Sequence, residues 1–214
     1  MQRKRLDLNA VYISERVQKC LHAIADSALT AVVAPMGYGK TTAVNWFLAE
    51  QSRVENALVV RVSIYSENLQ VFWKSLQNAF AAAGLTVLDG CDCPQDASGA
   101  AMLLDALCAA LQGGRACYLF LDDFHLLQDD RAADFLCALA GRLPDNAHLI
   151  VASRNRFVPG REVVRLGRRL HRVETDQLRL NRAELTGYAR RCGLELTGEQ
   201  ADALLRSSEG WFSA

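Results

Sequence analysis

The sequence is organised around a nine-residue segment, Ala34-Pro35-Met36-Gly37-Tyr38-Gly39-Lys40-Thr41-Thr42. An apolar run, Leu29-Thr30-Ala31-Val32-Val33, precedes this segment. After it, the apolar residues Val44, Phe47 and Leu48 fall on one helical face. The pattern predicts a strand, a loop and a helix, in that order. A loop in this setting that ends in Gly-Lys-Thr wraps its backbone N–H groups around a polyphosphate.

Each part of the loop has a chemical role in this interpretation. Lys40 reaches the β- and γ-phosphates, and the Thr41 hydroxyl is a ligand of Mg²⁺. Gly37 and Gly39 allow close backbone approach or a positive φ. The alternative is a Gly-rich turn that happens to contain a lysine. The nucleotide contacts predicted for this loop are Pro35, Met36, Gly37, Tyr38, Gly39, Lys40, Thr41 and Thr42.

Composition narrows the class of protein. Half of the 214 residues are hydrophobic, and 24 basic residues balance 24 acidic ones, so net charge predicts neither nucleic-acid nor membrane binding. The basic start, Met1 to Arg5, is followed by no apolar segment typical of a signal peptide. No apolar run approaches the roughly 18 residues of a membrane span. We therefore expect a cytoplasmic protein.

The seven cysteines are scattered rather than arranged in a disulfide framework, which favours a reducing compartment. The segment Cys91-Asp92-Cys93 can be interpreted as half of a metal or redox site. Its one-residue spacing and the absence of a nearby His or second pair instead favour a loop with incidental thiols.

A second informative segment begins with the apolar strand Cys117-Tyr118-Leu119-Phe120-Leu121 and continues into Asp122, Asp123 and His125. We predict that this strand is next to the phosphate-loop strand. A carboxylate at its carboxyl end lies where Mg²⁺ and its waters would be, so Asp122 is the predicted metal ligand. On an extended backbone Asp123 points the other way and can orient or deprotonate the attacking water. His125 either senses the γ-phosphate or caps the next helix.

Basic residues follow the predicted strand His148–Ala152. Arg154 leaves the end of that strand and is the predicted sensor of the γ-phosphate, because its planar guanidinium suits phosphate; the alternative is a solvated loop. The Arg-rich segment from Arg156 to Arg172 is interpreted mostly as a solvated basic face. Near the start of the chain, Arg16 follows Ile13 and by itself resembles a solvated helix residue.

The remaining patterns complete an alternation of strands and helices. Residues 57–64 predict a second strand and 172–174 a short last one. An aromatic stripe from Leu69 to Phe80 predicts a core-facing helix, and residues 84–99 a long surface connection. Further helices are predicted with Met102 to Leu111 inward, with Phe135 to Leu143 before Pro144, and after caps at Asn181 and Thr197.

Together these motifs resemble the N-terminal nucleotide-binding module of MalT-like, LuxR-type transcriptional regulators, a branch of the STAND class of signalling ATPases. The resemblance runs from about residue 11 to the end of the chain. The segments that carry it are the phosphate loop, Phe72-Trp73, Asp122-Asp123-Phe124-His125, Ala152-Ser153-Arg154-Asn155, Arg165-Leu166, Leu196-Thr197 and Glu209-Gly210-Trp211.

The resemblance implies a three-layer α/β P-loop fold whose five parallel strands are ordered 5-1-4-3-2. It places the nucleotide-binding domain at residues 1–175 and the start of a helical subdomain at 176–214, in a chain that we expect to continue. It implies ATP or ADP with Mg²⁺, and adenine held by the backbone around Ile13 and Arg16.

The function implied is a regulatory ATPase switch. In such regulators the later parts sense an inducer or partner and bind DNA, so we expect this piece to be monomeric, to bind no DNA itself, and to oligomerise only in the activated full-length protein. Two other classes remain open from the residues: a small-molecule P-loop kinase with the segment Arg156–Arg172 as a lid, and a nucleotide-binding scaffold without turnover.

Overall fold

The structure is a computed structural model that describes residues 12–208. The basic start of the chain and the Glu209-Gly210-Trp211 motif lie outside this range. Helices and strands alternate along most of the described chain, and their bounds are α1 Glu15–His22, β1 Leu29–Val33, α2 Lys40–Glu55, β2 Leu58–Ser63, α3 Leu69–Ala82, α4 Ala97–Leu111, β3 Cys117–Asp122, α5 Asp130–Arg142, β4 Ala147–Ser153, α6 Gly160–Leu166, β5 Leu170–Glu174, α7 Thr175–Leu178, α8 Arg182–Arg191 and α9 Gly198–Ser208.

Within residues 12–208 the strands form one parallel five-stranded sheet in the order β2-β3-β4-β1-β5. This confirms the predicted strand order. It corrects one expectation, because β4 lies between the phosphate-loop strand β1 and the Asp122 strand β3. The register brings the strand ends together at one edge: Val33 is level with Ser153 and Glu174, and Ser63 is level with Asp122.

Alternating side chains of the strands supply two cores, one on each face of the sheet. Leu119 and Leu121 point into the larger core, which α3, α4 and α5 cover. Tyr118 and Phe120 point into the other core, beneath α1 and α2. Helices therefore cover both faces, and the predicted three-layer α/β fold is confirmed.

Two details of the larger core differ from the sequence patterns. Helix α4 begins at Ala97 and buries Leu103, Leu104 and Leu107, whereas Met102, predicted to face inward, is exposed. The connection before α4 is irregular but not merely superficial, because Leu88 is fully buried and the indole of Trp73 donates to the Cys91 carbonyl at 2.8 Å. The phase of an Ala-rich helix is poorly defined by its sequence, since Ala fits either face.

Most arginines of the Arg-rich segment are exposed, as predicted, but two of them also bind the end of α5. The Arg165 guanidinium donates to the Cys137 carbonyl at 2.8 Å and pairs with Glu162 at 2.6 Å. Arg169 donates to the carbonyls of Gly141 and Leu143. The Gly141 carbonyl lies in the last turn of α5, where carbonyls lack intrahelical partners. These bonds fasten α6 and the chain after it to α5.

Arg16, which by itself resembles a solvated residue, instead joins the start of the described chain to α8. Its guanidinium pairs with Glu184 at 3.0 Å and donates to the carbonyls of Gln177 and Arg179 at 2.8 and 2.6 Å. Glu184 also accepts from the Ser14 hydroxyl at 2.7 Å and closes the predicted capping box with Asn181. A buried carboxylate is thus fully hydrogen-bonded. The predicted subdomain boundary at 175/176 falls at the start of α7 and stays a prediction.

This junction affects how stability depends on pH. Burial alone would raise the pKa of Glu184, but the hydrogen bonds from Arg16, the Asn181 N–H and Ser14 outweigh it, so the pKa lies below its ordinary value near 4.5. A carboxylate with a lowered folded pKa contributes stability above its unfolded pKa. That contribution is lost as the pH falls through the folded pKa.

We predict that Glu184→Gln lowers the free energy of unfolding at pH 7 by about 1–3 kcal/mol, because it leaves Arg16 without its partner; partial exposure of Arg16 limits the loss. Urea denaturation should show the gap from wild type shrinking as the pH falls below 4.5. Glu199→Gln, at an exposed position of α9, is the control and should change little. A gap that is independent of pH would contradict the ionic role of Glu184.

Candidate functional site

The loop between β1 and α2 has the backbone that its glycines require. Gly37 and Gly39 have φ of 86° and 72°, in the left-handed region that disfavours other residues. A Cβ at Gly39 would meet no atom within 4 Å, so conformation rather than space requires glycine there. The turn at Gly39 starts α2 at Lys40, with the first N–H groups of the helix at the loop.

Lys40 is buried with its ammonium inside the loop. Its Nζ donates to the carbonyls of Ala34 at 2.8 Å and Pro35 at 2.9 Å. Burial lowers the pKa of the ammonium; the carboxylates of Asp123 and Asp122 oppose this shift, and Arg154 adds to it. A cation partly stripped of water, with few anions around it, has a strong electrostatic reason to pair with a phosphate.

Asp122, at the end of β3, lies beside the phosphate loop that follows β1, although β4 separates β3 from β1. The Thr41 hydroxyl donates to the Asp122 carboxylate at 3.2 Å, which places two oxygen ligands side by side. Burial raises the pKa of Asp122, and the hydrogen bond from Thr41 opposes that shift. A nearby cation would favour the charged carboxylate.

The backbone of Asp123 corrects the sequence interpretation. Asp123 is not extended but left-handed, with φ 57° and ψ 36°, and the 3₁₀ turn Phe124–Leu126 begins directly after it. Its N–H donates to the Asp122 carboxylate at 3.0 Å. Its side chain therefore does not lie opposite Asp122 across a strand. It is half exposed and lies 3.7 Å from His125 Nδ1. The predicted role of Asp123 toward water stays a prediction.

Arg154 follows β4 and lies over the loop. Its Nη2 contacts the Met36 sulfur at 3.7 Å, and its charge acts on the pKa of both Lys40 and His125. Arg154 is thus brought to the same strand edge as Lys40 and Asp122, as expected of a group that reads a phosphate. Its contact with a phosphate stays a prediction.

The remaining residues predicted to contact the nucleotide differ in their exposure. Pro35 and Met36 are exposed, Tyr38 packs partly against the core under α2, and Thr42 lies in the first turn of that helix. Ile13 packs against the same core. Arg16 directs its guanidinium to α8, so any role near adenine would fall to the backbone there.

The sequence left the role of His125 open, and it indicated Glu184 only as part of a capping box with Asn181 and not as the partner of Arg16. An Asp-Asp-Phe-His segment signals a turn after a strand, but it does not indicate where the imidazole points. The Arg16–Glu184 pair spans 168 positions and has no local signal.

Within residues 12–208 no group of three or more His, Cys, Asp or Glu side chains could hold a metal ion. Cys91 and Cys93 are free thiols, as are the other five cysteines, Cys20, Cys108, Cys117, Cys137 and Cys192. Thr41 and Asp122 bring one hydroxyl and one carboxylate together at the loop. That set suits Mg²⁺, which is usually held by few protein ligands together with substrate phosphates and water.

No helix in the described part of the chain is long and apolar enough to cross a membrane.

Comparison with known proteins agrees with this geometry. The model of the AAA domain family matches residues 24–153, more than half of the chain. The chain belongs to this family. The HTH-type transcriptional regulator MalT of Yersinia enterocolitica is 25% identical over 227 residues, covering 97% of this chain and 23% of MalT. MalT of Yersinia pestis is 24% identical over 210 residues, with the same coverage.

The chain thus spans less than a quarter of the length of these curated relatives. The predicted resemblance to MalT-like regulators is confirmed: this AAA domain is similar to them over 97% of its length. Solved structures share the fold at low identity. Cdc6p from Pyrobaculum aerophilum has a TM-score of 0.53 at 14% identity, and the match covers 91% of this chain and 51% of the Cdc6p chain. A Walker-type ATPase of Pyrococcus abyssi has a TM-score of 0.51 at 12% identity, covering 96% and 65%.

Gly39→Ala should lower the free energy of unfolding by about 1–2 kcal/mol, because alanine is strained at a φ of 72°. Gly160→Ala is the matched control, since a Cβ there meets nothing within 4 Å and its φ is not positive. The control should be neutral or stabilise by up to about 1 kcal/mol. Urea denaturation of both variants checks this, and equal effects would contradict the conformational argument.

Proposed function

We propose that this chain is the ATP- and ADP-binding switch domain of a helix-turn-helix transcriptional regulator, in which slow hydrolysis or exchange sets the active state. The observation that carries the proposal is the 3.2 Å contact between Thr41 and Asp122 beside the buried ammonium of Lys40. Such a site takes an anion and a cation together. Burial shifts the pKa of Lys40 down and that of Asp122 up, and a magnesium polyphosphate would offset both effects.

Each residue has a stated part in the proposal. The backbone N–H groups of the loop and Lys40 bind the phosphates, and Thr41 and Asp122 hold Mg²⁺. Bound Mg²⁺ would neutralise charge on the β- and γ-phosphate oxygens. Asp123 orients or deprotonates the attacking water, and Arg154 contacts the terminal phosphate.

Two alternatives are less well supported. A small-molecule kinase needs an Arg-bearing lid, but Arg165 and Arg169 are bonded to the end of α5, so this segment is not free to close over an acceptor. A scaffold without turnover is compatible with the binding residues, and measured hydrolysis would exclude it.

The wider setting of the domain is part of the proposal. The relatives are named as HTH-type regulators, and this chain covers 23% of their length, so we propose that sensor and DNA-binding regions lie elsewhere in the full-length protein. The fragment itself would be a monomer without specific DNA affinity, and self-association would belong to the activated full-length protein. Denaturing the purified protein and identifying any released nucleotide is the most direct test of nucleotide binding.

Lys40→Ala should weaken ADP binding by about ten- to a hundredfold, because it removes a charge-assisted contact of roughly 1.5–3 kcal/mol. Titration calorimetry measures this effect. Lys74→Ala removes an exposed lysine on α3 and serves as the control. Unchanged ADP affinity in a folded Lys40→Ala protein would refute the phosphate-loop assignment.

Substitution of Asp122 and of Asp123 should affect different steps, one the binding of Mg²⁺ and the other the turnover of the nucleotide. Asp123→Asn is expected to keep magnesium-nucleotide binding while lowering turnover by about 10²-fold or more, because the water loses its base. Asp122→Asn should instead weaken the dependence of binding on Mg²⁺. Calorimetry at varied Mg²⁺ and a phosphate-release assay separate the effects. Identical behaviour of the two variants would show that the roles are not divided in this way.

A further inference from the structure

A cavity of about 490 Å³ opens between helices α3, α4 and α5, on the face of the sheet away from α1 and α2. Phe72 and Trp73 on α3, Leu104 on α4 and Leu136 on α5 are buried side chains of the larger core that also line it. Sites that bind small molecules typically have volumes of roughly 300–1,000 Å³ and largely apolar walls. The residues that line it in the described range include none of those assigned to the nucleotide. The cavity is therefore separate from the phosphate-loop site.

Small side chains keep this cavity open. Ala100 and Ala101 on α4 and Ala138 on α5 line it, and all three are half-buried. Protein interiors are otherwise packed like organic crystals, with few voids larger than a water molecule. The leucine and aromatic side chains around the cavity are buried in the larger core, so loose packing of the region does not account for the space. The space follows from alanines at positions where a larger apolar residue would fill it.

The polar groups inside the cavity are already bonded. The indole N–H of Trp73 donates to the Cys91 carbonyl at 2.8 Å, and the Gln95 amide donates to the Cys93 carbonyl at 2.9 Å. Within residues 12–208, none of the buried side-chain polar atoms that lack a partner belongs to the lining. A polar ligand would therefore find no unpaired buried group here, and its own polar atoms would lose their bonds to water without replacement.

The rim of the cavity carries two arginines and two aspartates, so its formal charge is balanced. Each of the four has a partner in the protein. The contacts are Arg131 with Asp129 at 2.7 Å, Arg142 with Asp105 at 2.8 Å, Asp134 with Arg161 at 2.8 Å, and Asp96 with the N–H of Gly99 at 2.7 Å. A charged ligand would gain no net attraction from this rim and would compete with the partners already present.

We propose that this cavity binds a small, uncharged and mainly apolar molecule, which lies between the aromatic side chains of α3 and the alanines of α4 and α5. The inference goes beyond the proposed nucleotide switch and does not depend on it. It explains an apolar space that the packing leaves open and that offers no unpaired polar group. Removal of the ligand's apolar surface from water supplies the affinity.

The test is a fluorescence titration with N-phenylnaphthylamine, an uncharged aromatic probe whose emission increases in apolar surroundings. Wild type should bind one equivalent with a dissociation constant on the order of 1–100 μM. Ala101→Phe and Ala138→Phe, the filling variants, each put a large side chain into the cavity and should weaken binding by about tenfold or more. Ala109→Phe adds the same side chain at an exposed position of α4 outside the lining, and it should bind the probe like wild type.

A second titration tests the charge of the ligand. Anilinonaphthalene sulfonate has the same ring system with an added anion, and wild type should bind it about tenfold more weakly, because the sulfonate would lose water without gaining a free partner. Equal or tighter binding of the sulfonate would overturn the assignment to an uncharged ligand. ADP with Mg²⁺ should not displace the uncharged probe. Displacement would place the probe at the nucleotide site and would also overturn the proposal.

Urea unfolding followed by circular dichroism separates loss of the cavity from loss of the fold. The filling variants should unfold at the wild-type midpoint or above it, because their new side chains occupy space that is already present. Saturating N-phenylnaphthylamine should raise the midpoint of wild type and of Ala109→Phe, but not that of the filling variants. The filling variants lie on different helices, so that one decides if the other does not fold. The proposal is overturned if wild type shows no saturable binding, or if a folded filling variant binds the probe as tightly as wild type.

Discussion

The hydrogen bond from Thr41 to Asp122 is the contact on which the site depends. It joins the start of α2, which follows β1, to the end of β3, although β1 and β3 are not neighbours in the sheet. Strand β4 lies between β1 and β3, so the oxygens of the loop and of the β3 carboxylate can meet only if α2 begins above the strand edge. The left-handed turn at Gly39 puts the start of α2 there. The parallel register then makes every strand deliver its last residue to the same edge. The turn at Gly39 and the register of the sheet together bring Thr41 and Asp122 to the same place.

Most of the fold could be predicted from sequence because it follows from short-range patterns. Four of the five strands were visible as apolar or β-branched runs, whereas β5 was predicted only over residues 172–174 and begins at Leu170. The aromatic stripe on α3 was correctly assigned to the core. The strand order came from a family resemblance and not from periodicity, because no local pattern specifies which strands pair. The phase of α4 was misjudged at Met102, since an Ala-rich segment has little amphipathic contrast.

The site was predictable in its residue types and less so in its geometry. Lys40, Thr41, Asp122 and Arg154 do meet at one edge, as strand ends of a parallel sheet must. The conformation of Asp123 was not foreseen, because the sequence did not show that the strand ends at Asp122 and that a 3₁₀ turn follows Asp123. The role of Arg16 was also hidden. An isolated arginine on a helix resembles a solvated one until the chain brings Glu184 beside it.

Unfavourable local features concentrate at this edge of the molecule. Asp123 is one of two non-glycine residues with positive φ in residues 12–208, His125 is buried without a partner, and Lys40 is an ammonium partly removed from water. Elsewhere the unpaired buried side chains in the described range are the Thr30 and Ser208 hydroxyls. Strain and desolvation that persist together at one place are typical of functional sites. The rest of the fold, with two packed cores and the Arg16–Glu184 junction, provides the stability that lets these residues stay in place.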